Sequence, residues 1–119
     1  MKAASLLPLI SAALVIASSS ARSQEPPREI KDALSSLETC YMTHAKIDGG
    51  MSCQAPPALV GAVFGACTTE EGKFKGAVQH AYSADYEMAT GQLEKLHARS
   101  TGAIQDVILS AQSKIRKCP

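Results

Sequence analysis

Four cysteines, at positions 40, 53, 67 and 118 of a 119-residue chain, limit what this sequence can fold into more than any other feature. An even number in a short chain is the signature of a disulfide framework in an oxidising compartment. No Cys-x-x-Cys occurs, which disfavours thioredoxin-like redox chemistry and c-type haem attachment. The remaining composition makes covalent help expected. Trp is absent and the aromatic residues are only Tyr41, Phe64, Phe74, Tyr82 and Tyr86. A core built mainly from Ala, Leu, Val and Ile in so short a chain is marginal.

The N-terminus reads as a cleaved, Sec-type signal peptide over 1–23, leaving one domain at 24–119. Lys2 supplies the positive start, Leu6 to Ala17 the apolar run, and Ala21-Arg22-Ser23 a small-x-small cleavage site; cleavage after Ala21 fits nearly as well. The run is shorter than the roughly 20 residues that span a bilayer. No Leu-x-x-Cys lipobox follows it, so no stable membrane anchor is expected in the mature form. The expected location is periplasmic or secreted.

Without Lys2 and Arg22 the mature part carries ten Lys and Arg against eleven Asp and Glu. It has no basic run. Nucleic acid is therefore not an expected partner, because neutralising phosphate dominates that affinity. Charge-driven attachment to an anionic membrane is disfavoured for the same reason.

The fold class expected is all-α: a small up-down-up three-helix bundle stapled by two disulfides. Pro26-Pro27 suits a helix start. Ile30, Ala33, Leu34, Leu37, Cys40, Tyr41, His44 and Ile47 then follow one stripe of period near 3.6. Asp48-Gly49-Gly50 is expected to end this helix, with glycine in the left-handed position. Pro56-Pro57 begins a second helical pattern that continues almost to the C-terminus. Unbroken, it would be a helix of about 60 residues and roughly 90 Å, too long for one small domain to bury. Ser83-Ala84-Asp85 is the preferred break because Ser and Asp cap helix N-termini; Ser100-Thr101-Gly102 is the second choice. The expected helices are 28–47, 57–82 and 86–117. Thr68-x-x-Glu71 reads as a capping box that can mark a local break after Cys67.

Helix geometry ranks the three disulfide pairings. Cys40 lies roughly 10 Å below the top of the first helix and Cys67 roughly 15 Å below the top of the second, at 1.5 Å per residue. They share a height on apolar stripes. Cys118 returns to the top, where Cys53 sits in the 48–56 loop. Cys40 with Cys67 and Cys53 with Cys118 is therefore favoured. Cys53 with Cys67 would span some two helical turns, against a Cα separation limit of roughly 7 Å. Cys40 with Cys53 remains geometrically open.

No catalytic residue, cofactor or metal ligand is assigned. Glu94-Lys95-Leu96-His97 has the Glu-x-x-His spacing of di-iron bundles, but those need two copies and two further glutamates; a solvated Glu beside a surface His is the ordinary reading. His44, His80 and His97 with Met42, Met51 and Met88 could suggest a copper or haem site, yet none are tightly spaced on one helix. Paired cysteines leave no free thiol nucleophile, and no Gly-x-Ser-x-Gly elbow is present. Adjacent Glu70 and Glu71 point to different sides of a helix and make no acid/base pair.

The candidate interaction surface is Leu59, Val60, Gly61, Val63, Phe64 and Gly65. Gly61, Gly65, Gly72 and Gly76 fall on one side without side chains, although glycine costs about 1 kcal/mol against Ala in a helix. Close packing inside the monomer is the favoured explanation. The alternative is that another protein, a homodimer mate or an apolar ligand covers a segment that is apolar all round. The expected role is non-enzymatic, acting through protein contacts as an adaptor, inhibitor or chaperone-like factor. A bundle binding a small ligand, haem or metal is the alternative.

Overall fold

The computed structural model describes residues 25–119. The expected signal peptide, 1–23, lies outside the described residues. Among those residues the chain is all helical, and two disulfides close it. Four α-helices replace the expected three: α1 Arg28–Met51, α2 Pro56–Ala66, α3 Thr68–Tyr82 and α4 Tyr86–Ala111. A π-turn, Gln112–Arg116, follows α4.

The extra division falls at Cys67, which ends α2 and precedes α3 with φ −114° and ψ 25°. A disulfide to Cys40 holds it there. The expected capping box does not form: no side chain caps α3, and Glu71 turns inward instead. The break before α4 lies where Ser and Asp were expected to place it. Ser83 takes a left-handed conformation, and Asp85 Oδ1 accepts from the Met88 N–H at 2.8 Å.

α1 does not stop at Asp48-Gly49-Gly50. It runs to Met51, and no glycine has positive φ. The reason is tertiary. Gly49 is buried where α4 crosses α1, and a Cβ there would lie 2.5 Å from the Ile108 carbonyl oxygen and 2.9 Å from Ala111 Cβ. This glycine permits close approach rather than a turn.

α1 packs against each other helix and the π-turn. Its buried Leu37, Tyr41 and Ala45 meet Val63 of α2, Phe74 and Val78 of α3, and Leu96, Ile104 and Ile108 of α4 in one core. The C-terminus is closed by polar groups as well as by sulfur. Buried Gln112 donates through Nε2 to the carbonyls of Ser52 (3.0 Å) and Gln54. Beside it, Cys53 is bonded to Cys118. Both bonds tie the ends of long loops, with sequence separations of 27 and 65 residues.

Candidate functional site

One polar cluster draws a side chain from all four helices. Tyr41 of α1 donates its hydroxyl to Glu71 Oε2 of α3 at 2.7 Å. His97 Nε2 of α4 lies 2.7 Å from the same oxygen. Phe64 of α2 stacks on the imidazole, with ring centroids 3.9 Å apart and planes 12° from parallel. Tyr41 meets Phe64 edge-on at 5.1 Å. The Cys40–Cys67 bond lies next to this cluster in sequence on both sides, one residue from Tyr41 and one turn from Glu71.

Local sequence explains the placement. Cys67, Glu71, Phe74 and Val78 follow steps of four, three and four along α3, and all are buried. Glu71 therefore occupies a core position. A carboxylate taken out of water needs donors, and one oxygen receives two. Burial raises the Tyr41 pKa above its ordinary value, and the hydrogen bond and charge of Glu71 reinforce this. Tyr41 is held as a neutral donor.

The carboxylate–imidazole pair could orient a general base in principle. Nearby, the Thr101 hydroxyl donates to the His97 carbonyl at 2.8 Å. What the arrangement supplies is a directional lock among four helices.

The candidate interaction surface divides into two faces. Leu59, Val60 and Val63 are buried core residues rather than surface, while Phe64 is half-buried over His97. Gly61 and Gly65 are exposed, and a Cβ added to Gly61, Gly65, Gly72 or Gly76 would meet nothing within 4 Å. Close packing within the monomer, the favoured explanation of that stripe, is thereby overturned. α2 buries its large side chains and turns its small ones outward.

The other sequence candidates separate. His97 turns to Glu71, not to Glu94 of the Glu-x-x-His pattern, and Glu94 is exposed. His80 pairs with Glu29 at 2.8 Å on the surface. Met51 is exposed. His44 lies beside the Cys40 and Cys67 sulfurs. The cluster built on Glu71 was missed in the sequence, although a carboxylate on an apolar stripe is a readable signal for it.

No protein-family model matches the chain, and comparison with curated proteins and with solved structures gave no match.

Proposed function

We propose that this is an exported, non-enzymatic helical protein that acts through protein contacts, with the outward face of α2 as its docking surface. Export through the segment 1–23 belongs to this reading. Two disulfides are compatible with an extracytoplasmic location. No helix among the described residues is long and apolar enough to cross a membrane.

The observation that carries the reading is the composition of that face. Ala58, Gly61, Ala62, Gly65 and Ala66 are all exposed, and no charged residue occurs from Gln54 to Thr69. Glycines at i and i+4 let a partner backbone approach closely, while each weakens the isolated helix. Charge depletion is also the compositional mark of interface cores.

A photo-reactive residue in place of Ala62 or Ala66 of the mature oxidised protein tests this, with Lys95 as control position. The expected result is a defined adduct, to another protein or to a second copy, from 62 and 66 but not from 95. Gly61→Leu with Gly65→Leu should abolish it. No adduct from either position, together with strictly monomeric sedimentation, would remove the reading.

A second reading, a small-ligand site, is supported by a groove of about 340 Å³, within the usual range for ligand pockets. Ile30, Leu34, Phe74 and Val78 supply apolar wall; Gln92 and exposed Arg99 supply polar groups. A small amphiphile with an anionic head suits that lining. Displacement of a fluorescent fatty-acid probe measures it, and Arg99→Gln should weaken binding; an unsaturable or absent signal counts against it.

A further inference from the structure

The geometry points to a second state of the Cys40–Cys67 site: once the disulfide is reduced, Cys40, His44 and Cys67, with Glu70 as fourth donor, hold a borderline-soft divalent cation of the zinc class.

Three of the four donors are already gathered, and the fourth lies beside one of them. The Cys40 and Cys67 sulfurs and a His44 ring nitrogen all lie within 4.8 Å of one another. Cys40 and His44 are four residues apart on α1, so they share a face. Glu70 Oε1 lies 3.6 Å from Cys40 Sγ. Two thiolates, an imidazole and a carboxylate make a tetrahedral donor set that suits zinc. Little backbone movement is needed. The two Cα atoms are 6.0 Å apart, and two sulfurs on a tetrahedral zinc with bonds of about 2.3 Å stand about 3.8 Å from each other. Rotation about the cysteine side-chain bonds can supply that separation.

The start of α3 favours thiolate at Cys67, and the bound cation offsets its burial and the neighbouring Glu70 carboxylate. Cys67 is the residue before the first turn of the 15-residue α3, and its carbonyl accepts from the Glu71 N–H at 2.9 Å. The positive end of the helix dipole at that position stabilises an anionic sulfur. Cys67 is also fully buried, while Cys40 and His44 are half-buried and open to an entering ion. Unpaired, a buried thiolate would be costly; a cation compensates it.

The chemistry balances with a dithiol reductant. It transfers two electrons and two protons to the Cys40–Cys67 bond and becomes a disulfide itself. The two thiols formed release their protons as the cation binds. Disulfide and metal are thus alternative occupants of one site, and the dithiol state is one every chain passes through before oxidation.

The test uses the full mature chain, oxidised or reduced with dithiothreitol and freed of reductant without oxygen. Zinc is titrated against a chromogenic chelator, and cobalt(II) serves as the spectroscopic probe. One zinc per reduced chain and none per oxidised chain are expected, with a thiolate-to-cobalt absorption band and the spectrum of a tetrahedral site. His44→Ala and Glu70→Gln leave both thiols and are the decisive variants. Loss of a direct ligand should cost at least the roughly tenfold lost with an outer-shell partner, so His44→Ala should weaken zinc by about tenfold or more, and Glu70→Gln should weaken it too. Cys53→Ser with Cys118→Ser should leave binding intact. If reduction melts the helices, zinc should restore them, as metal binding then couples to folding. The inference is overturned if the reduced chain takes up no zinc, if His44→Ala binds as tightly as the parent, or if binding follows Cys53 and Cys118. None of these outcomes depends on the α2 surface.

Discussion

The Tyr41 hydroxyl and the Glu71 carboxylate, thirty residues apart, meet at 2.7 Å in the interior of the bundle. That oxygen also faces His97. Glu71→Leu removes the acceptor from both and leaves the Tyr41 hydroxyl buried with no partner. It should destabilise the oxidised protein by about 2–4 kcal/mol in urea unfolding. Glu71→Gln keeps an acceptor oxygen and should cost about 1 kcal/mol. A Glu71→Leu protein as stable as the parent would show that the cluster contributes nothing.

Tyr86 should ionise before Tyr41. Lys75 Nζ lies 3.0 Å from the Tyr86 hydroxyl, and this hydrogen bond lowers the Tyr86 pKa below its ordinary value. Tyr41, raised by burial and by Glu71, should ionise at higher pH than Tyr86. Tyrosinate absorbance against pH should show the first step move upward in Lys75→Met. The sign for stability follows from Tyr41. Its folded pKa exceeds its unfolded value, so the stabilisation is whole below about pH 10 and declines as pH rises above that. An unchanged unfolding midpoint between about pH 9 and pH 11, roughly one unit either side of a free tyrosine, would contradict this.

Glycines in this chain should respond oppositely to the same change. Gly49→Ala drives a Cβ into the backbone of α4 and should cost about 1–3 kcal/mol, as overpacking does. Gly61→Ala and Gly65→Ala meet open space and should stabilise the free protein by up to about 1 kcal/mol each. Thermal melts of the three variants distinguish the roles. Equal effects at 49 and 61 would mean the close crossing of α1 and α4 is misplaced.

The C-terminal clamp has a covalent and a polar part. Removing the bond with Cys53→Ser and Cys118→Ser should cost about 4 kcal/mol in the chain-entropy account. Gln112→Ala leaves the bond but strips the Ser52 and Gln54 carbonyls of their donor, and should cost about 1–2 kcal/mol. Limited proteolysis should cut first near Ser52–Ala55 in both. Cleavage elsewhere with the loop still protected would argue against the clamp.

Much of the architecture was legible. Steps of three and four along 28–47 and 86–117 reveal helices because burial on one face imposes that period, although the last helix gives way to a π-turn after Ala111. Asp85 is readable as a cap because its side chain serves a backbone N–H three residues on, a wholly local matter. Other features were not. Asp48-Gly49-Gly50 resembles a helix end, since glycine weakens a helix locally; only the arrival of α4 turns Gly49 into a packing contact. The break after Cys67 was readable from Thr68-x-x-Glu71, but not that this motif would lose its glutamate to the core instead of capping α3. Glu71 itself shows in the sequence as a charge on an apolar stripe, but its partners come from helices 30 and 26 residues away.

By itself, the sequence determined that this chain is helical, which residues share each helix face, and that its thin core calls for cysteine crosslinks. Periodicity and capping are settled within a few neighbouring residues, so they can be read there. Tertiary structure alone decided what lies opposite each face: backbone against Gly49, open space beside Gly61 and Gly65, two donors around Glu71. Those identities depend on how helices cross, and a helix carries no local record of the neighbour it will meet.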